Sequence, residues 1–373
     1  MKYVLALALI VSFISPSVAS AAQYRAFEYS GWIPYWKGDA AVADAISHID
    51  TFTEVNPFGY TVKENGTLND TAKLDEGHWP LLRELAKQKN IRYIPTITWG
   101  GGAAIHKVLS NTKSRIALED EIAALVKEKG YDGIDIDFEG KRAETRPYFS
   151  TFLKGLYQRM GNKWVMCTIE ARTPPEDLYA VIPEDLEYAN DFKEINKYCD
   201  RVRFMTYDQG RADIKLNAVR PHPYVPVADV AWVEKAIRNA MKDIPKKKIM
   251  VGVATYGYEY DMFADSSVAG GQAYSILWSF NPRYATELAA SMGITPTRNA
   301  SGEMTFSYPA SDPKATAPVP LPFATRTLTW SDGEAVKQKI DLAKRLGVRG
   351  VSIFKIDSGE DKTLWNVLPV KAD

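Results

Sequence analysis

Eight short β-rich runs that alternate with helical runs constrain this chain more than any other feature. They fall at residues 30–33, 51–56, 92–98, 133–138, 164–169, 201–206, 248–254 and 350–354, and each is rich in Val, Ile, Thr or aromatic residues. Residues 79–89, 115–129, 146–160, 191–198, 227–242 and 333–346 carry apolar residues at three- and four-residue spacing instead, the mark of a helix with one buried face. Gly130 and Gly347 sit where a left-handed helix cap is wanted, and Ser331, with Glu334 three residues on, reads as an N-cap. Strands that alternate with helices predict a parallel sheet, most economically a closed (β/α)8 TIM barrel of the α/β class. An open doubly wound sheet is the alternative. The glycine fingerprint that such sheets use for dinucleotides is missing, and Gly100-Gly101-Gly102 lacks the Gly-Lys-Ser/Thr ending of a phosphate loop. That run reads as a loop needing positive φ or close backbone approach.

The stretch between the last two strands is too long for one helix. Residues 259–329 hold a helical pattern at 273–292, a turn at Ser301-Gly302, a Pro-rich stretch at 309–322 and an alternating run at 325–330. Trp278, Phe280, Tyr284, Phe306 and Tyr308 supply apolar surface enough to fold, so this is predicted to be a small α+β subdomain inserted between strand seven and the last helix. The barrel as a whole is assigned to residues 22–373. Residues 1–21 read as a signal peptide: Lys2, an apolar run from Tyr3 to Ile14, and the small residues Ala19-Ser20-Ala21. The expected destination is the cell envelope, periplasm or medium. Zero formal net charge gives no reason to expect nucleic acid or an anionic membrane as partner, and a monomer is expected. Cys167 and Cys199 are too few for a disulfide framework; two separate buried thiols are the favoured reading, although export would permit a bond. His48, His78, His106 and His222 are scattered, with no metal-ligand spacing, and neither metal nor cofactor is expected.

The chemistry is concentrated in Tyr131-Asp132-Gly133-Ile134-Asp135-Ile136-Asp137-Phe138-Glu139. Alternate residues of a strand face opposite sides. Asp135, Asp137 and Glu139 therefore share one face, and Ile134, Ile136 and Phe138 the other. With the apolar face under the helices, the acids point into the barrel and rise toward its C-terminal end, where barrel active sites lie. Carboxylates about 7 Å apart along one face repel each other and lose hydration, so at least one is expected to hold its proton. Glu139, last in line, is the natural general acid. Buried ion pairs, or a divalent cation, are the alternatives.

The spacing Asp-x-x-Asp-x-Asp-x-Glu, filled by Asp132, Asp135, Asp137 and Glu139, resembles the fourth strand of glycoside hydrolase family 18, the chitinase-like barrels. Met205-Thr206-Tyr207-Asp208 is similar to that family's sixth-strand motif, Gly252-Val253-Ala254-Thr255-Tyr256-Gly257 to its seventh, and Gly31-Trp32-Ile33-Pro34-Tyr35-Trp36 to its first. The inserted stretch resembles its small insertion domain. One position departs: Phe354 stands where the family usually has a Trp under the cleaved sugar.

The resemblance implies a retaining hydrolase acting next to N-acetylglucosamine, with the substrate's own acetamide as nucleophile. Glu139 would protonate the leaving oxygen, and Asp137 would orient the acetamide. Asp135 would hold Asp137 through a shared proton. Tyr207 would bind the acetamide carbonyl, with Asp208 supporting it. Met205, Trp36, Trp99, Tyr256 and Phe354 would line the substrate site, and Asp132 and Gly133 would be structural. A carbohydrate-binding barrel without catalysis is the second reading. Glu170 and Arg172 read either as a cleft ion pair or as purely structural.

Overall fold

A computed structural model of the chain describes residues 27–265, 271–310 and 324–369. The signal-peptide segment lies outside the described residues, as does most of the Pro-rich stretch. Eight strands form the centre: β1 (Glu28–Ile33), β2 (Glu54–Val62), β3 (Thr96–Trp99), β4 (Gly133–Phe138), β5 (Trp164–Glu170), β6 (Arg201–Met205), β7 (Ile249–Ala254) and β8 (Gly350–Phe354). Each pairs in parallel with its neighbour, and β1 pairs with both β8 and β2. The sheet therefore closes on itself as a barrel, and no open doubly wound sheet forms.

Two strands differ from the sequence pattern for local reasons. Ile49–Thr51 is a turn of 3-10 helix, and β2 begins only at Glu54. The third run is broken because Pro95 has no N–H to donate to a ladder; Arg92–Tyr93 pairs with β2, and β3 starts at Thr96. Helices Trp79–Gln88, Thr112–Lys129, Arg146–Met160, Phe192–Tyr198, Val230–Ala240 and Gly333–Leu346 match the periodic stretches. Gly130 and Gly347 cap two of them at φ +67° and +68°. The N-cap of the last is Asp332 and not Ser331: Asp332 accepts the Ala335 N–H at 2.9 Å, while Ser331 N still bonds across to Tyr256 O at the strand end. Helices Asp39–Ser47 and Gly102–Ser110 add to the periodic stretches; each is nine residues long, too short for its buried face to repeat in the sequence.

The stretch after β7 carries a five-stranded antiparallel sheet, in the order Gln272–Phe280, Gly257–Ala264, Ala324–Trp330, Met304–Ala310, Thr297–Arg298. The helical reading of 273–292 is half wrong. Gln272–Phe280 is a strand, and the helix is Pro282–Ser291, with Pro282 in its first turn. Phe280 is buried in the small core; Trp278, two residues earlier on the same face, packs edge-on to Tyr284 and donates to Glu259 at 2.6 Å, while Ile276, beyond a bulge, is exposed. Glu303, fully buried, accepts the backbone N–H groups of Val227 and Ala228 at 2.9 and 2.8 Å and so ties this sheet to the barrel.

The expectation of separate thiols is overturned. Cys167 on β5 and Cys199, which follows helix Phe192–Tyr198, are joined by a disulfide across 32 residues of sequence. Both lie in the fully buried layer between barrel and helices, where β5 and the end of that helix are held against each other.

Candidate active site

The carboxylate strand is arranged as its alternation requires. Ile134, Ile136 and Phe138 join the outer apolar layer; the Phe138 ring stacks on Phe152 of helix Arg146–Met160, with 5.3 Å between centroids. Asp135 and Asp137 point into the barrel and are 0% and 2% exposed. Glu139, one residue past the strand, reaches solvent in the cleft, yet its charge acts on Asp137 and on Tyr207. Gly133 is needed here, since a Cβ would stand 2.3 Å from Trp164 O on β5. Asp132 accepts the Tyr93 N–H at 2.8 Å, tying the start of β4 to its neighbour.

Asp135 is surrounded by donors. Trp32 Nε1 (3.2 Å), Thr96 Oγ1 (2.9 Å) and Thr168 Oγ1 (2.9 Å) donate to its carboxylate, and Arg203 Nη1 lies 2.8 Å from Oδ1. Burial pushes this carboxyl up, and with the neutral donors alone opposing it the balance falls at about 6; the Arg203 guanidinium adds a full opposing charge. Asp137 has no such cradle, and its Oδ1 has no hydrogen-bond partner. Burial, then Glu139 and Asp135, push it well above the usual carboxylate range. Glu139 is raised too, by burial and then by Glu170, with Lys141 and its contact with Asp137 opposing. Two adjacent, interacting carboxyls titrate as a pair.

Sequence reasoning missed Lys141. Its ammonium is buried between Phe138 O, to which it donates, the Glu170 carboxylate at 3.5 Å and the Phe149 ring, and its charge acts on both Asp137 and Glu139. Glu170 in turn accepts Gly140 N at 3.0 Å and Asn190 Nδ2 at 2.8 Å. Arg172 does not pair with Glu170; its guanidinium packs on the Tyr188 and Phe192 rings, 3.6 and 4.1 Å from their centroids. Arg203 was missed as well. The signal was present: Arg201, Arg203 and Met205 alternate in β6 as the acids do in β4, and charge at an inward position needs a partner.

Tyr207 lies beyond the end of β6, stacked on Phe354 at 5.6 Å and 18°. Gly252 on β7 makes room for it, since a Cβ would come within 3.0 Å of the Tyr207 ring. Burial, then Asp137, raises the Tyr207 hydroxyl far above its usual range, so it stays a neutral donor. Asp208, at φ +58°, accepts Tyr256 Oη at 2.5 Å and Tyr258 Oη at 2.9 Å and supports those rings rather than Tyr207. Phe354 is the hub of an aromatic cluster with Trp32, Phe58, Tyr207 and Tyr256. A hollow of about 560 Å³ beside it is lined by Trp36, Asp208, Tyr256, Trp278, Phe354 and Lys355. Trp36, 50% exposed, is free to meet a ligand. Met205 is half-buried at the strand end. Trp99 departs from the expectation: it is 4% exposed and packs edge-on to Phe138, because in register it shares the outward face of β4. A second hollow, about 630 Å³, opens at the opposite end of the barrel beside Arg83, Lys87 and Arg92, away from the paired carboxyls.

A closed barrel with a pair of raised carboxyls at its C-terminal mouth is the framework of a glycoside hydrolase. The sequence model for Glycosyl hydrolases family 18 matches residues 27–359, and the chain belongs to that family. Among curated relatives, the uncharacterized glycosylase YvbX of Bacillus subtilis is 24% identical over 90% of each chain. The cortical fragment-lytic enzyme of the same organism is 25% identical over 82% of this chain and 64% of that protein. Chitinase A1 of Niallia circulans is 23% identical over 100% of this chain and 62% of its own length. The last two are thus longer than the region they share with this chain. The fold is that of the Bacillus megaterium spore cortex-lytic enzyme SleL (TM-score 0.69, 19% identity, 91% of this chain and 73% of the other). It is equally that of a Chromobacterium violaceum chitinase (TM-score 0.69, 19% identity, 92% and 98%).

Proposed function

We propose that this protein is an exported, retaining glycosidase that cleaves β-1,4 bonds next to N-acetylglucosamine with the help of the substrate's acetamide. The observation that carries this is the adjacent pair Asp137–Glu139, both carboxyls pushed up chiefly by burial, with the Tyr207 hydroxyl held neutral beside them. Glu139 reaches solvent and protonates the leaving glycosidic oxygen. The acetamide carbonyl then attacks the anomeric carbon and forms an oxazolinium ion. Asp137, whose Oδ1 is buried without a partner, accepts the acetamide N–H and stabilises the positive charge. Tyr207 donates to the acetamide oxygen. Water opens the ring from the face the leaving group left, with Glu139 now the base, so configuration is retained. Lys141 keeps the doubled carboxylate tolerable once the proton has gone. Preorganised charge of this kind is worth several kcal/mol of barrier.

Trp36 and Phe354 give the sugar apolar faces to stack on. Chitin fragments and peptidoglycan both carry the required acetamide, and one relative is named a chitinase. Export is supported by the apolar N-terminal run and by the disulfide, a bond that persists in oxidising compartments. The decisive experiment is Glu139→Gln on chito-oligosaccharides and on peptidoglycan in parallel, with product anomers read by NMR. A loss of at least about a hundredfold in kcat, with the fold intact and β-anomer released first by the unaltered enzyme, is expected; unchanged turnover would end the proposal. The specific feature that favours a sugar-binding barrel without catalysis is Phe354 in place of Trp, and binding without product over days would establish that reading.

A further inference from the structure

Asp135 accepts from Trp32, Thr96 and Thr168 and meets Arg203 at 2.8 Å; every one of these partners is a donor. A protonated carboxyl would turn a donor toward other donors and strand a guanidinium that is 1% exposed beside a neutral group. Arg203 has a second carboxylate, Glu54, on its other Nη. Glu54 is also held by Arg92 Nε at 2.8 Å, and Arg92 reaches Glu28 at 3.0 Å, which Arg201 holds at 2.7 Å. The guanidinium is thus fixed from below by a network that crosses the barrel floor, and its Nη1 stands beside Asp135 as a charge contact, with no hydrogen bond of its own.

We propose that Arg203 is a positioning residue for the hydrolysis: it keeps Asp135 a permanent anion, so that the proton of the acid ladder is divided between Asp137 and Glu139 alone. Asp135 then does not share a proton with Asp137. It acts on Asp137 as a fixed negative charge from below, which favours the proton remaining on the pair at the cleft. The other groups facing this pair are Lys141 beyond the end of β4, Glu170 on β5, and Tyr207 and Asp208 after β6. Among them Lys141 opposes retention of the proton and the two acids support it. The inference rests on the catalytic reading for its consequence, and on the geometry of Asp135 for its content.

The test follows carboxyl carbons of Asp and Glu by 13C NMR in the whole chain as pH is varied, with assignments from Asp135→Asn and Asp137→Asn. Asp135 is expected to keep the shift of a carboxylate from neutral pH down to about pH 5, above the ordinary aspartate range, while Asp137 and Glu139 titrate together. An Asp135 signal that moves in concert with Asp137 overturns the proposal. In Arg203→Met, Asp135 should gain a titration step that the unaltered protein lacks. On a chromogenic glycoside of di-N-acetylchitobiose, kcat should fall about a hundredfold with KM within about threefold. Arg203→Lys, which restores the charge, should remove the added step and recover most of kcat. A role in folding alone would lower the yield of Arg203→Met and leave Asp135 unaltered in Arg203→Lys and in the starting protein. Where Arg203→Met does not fold, Arg203→Gln, which keeps amide donors without the charge, should show the same added Asp135 step; its absence overturns the proposal. A starting protein that cleaves nothing yet holds Asp135 ionised removes the catalytic reading and leaves the Arg203 assignment standing.

Discussion

Asp137 and Glu139 are costly residues. Both carboxyls are pushed above their ordinary range, first by burial and then by neighbouring acids. For such a group the folded protein holds its proton more tightly than the unfolded chain does. Nothing is lost below the ordinary carboxylate pKa, and stability declines as pH rises through the raised value. Asp137→Asn should therefore raise Tm at neutral pH, by roughly 1–2 °C for each kcal/mol of relieved strain in a chain of this size. The gain should vanish near about pH 4, where the unfolded carboxyl is itself protonated. A calorimetric series over pH 4–8 checks this, and a gain that persists at the acid end would contradict the assignment. The same substitution is expected to lower kcat by about a hundredfold or more, because the buried oxygen that faces the acetamide is then no longer an anion.

Elements set the positions these residues need. The loop after β3 passes under the loop that follows Glu139: Gly102 lies so close to the Gly140 carbonyl that a Cβ would stand 2.3 Å from it. Gly102→Ala must move one backbone or the other. It is expected to cost about 1–3 kcal/mol, as overpacking does, and to reduce kcat, since the Gly140 N–H holds Glu170; a melting curve beside a single-turnover assay checks both. The disulfide acts at the same scale. Closing a loop between residues 32 apart removes unfolded-state freedom worth about 3–4 kcal/mol in the chain-entropy account. Cys167→Ala with Cys199→Ala should lower the urea midpoint accordingly, and should leave kcat of the folded fraction little changed, because neither sulfur reaches the cleft.

Across the whole molecule, the inserted sheet is attached to the barrel by more than its two chain crossings. Glu303 binds the Val227 and Ala228 N–H groups, and Lys339 of helix Gly333–Leu346 stands 3.6 Å away, itself buried. Glu303→Ala leaves a buried ammonium uncompensated and should cost about 3–5 kcal/mol. Because Trp278 of that sheet lines the hollow beside Phe354, KM for longer oligosaccharides should rise as well. A chain-length series of substrates would show this as a penalty that grows with length; a uniform loss would place the effect elsewhere.

Much of this was legible in the linear chain, for a definite reason. Period-two alternation in Gly133–Phe138 decides which side chains share a face once that run is a strand, and the acids of β4 therefore declared themselves. The barrel was legible because parallel strands require crossovers, and the helices between them show their buried stripes. What the chain could not show is what meets across the barrel. Arg203 and Asp135 are 68 positions apart in number and touch only because β4, β5 and β6 are neighbours in the closed sheet. Trp99 looked like a cleft aromatic, and only the register against Phe138 turned it outward. Cys167 and Cys199 joined because the fold brought them together. Local pattern determines the face a residue takes; closure of the barrel determines its partner, and for a buried charge the partner determines the chemistry.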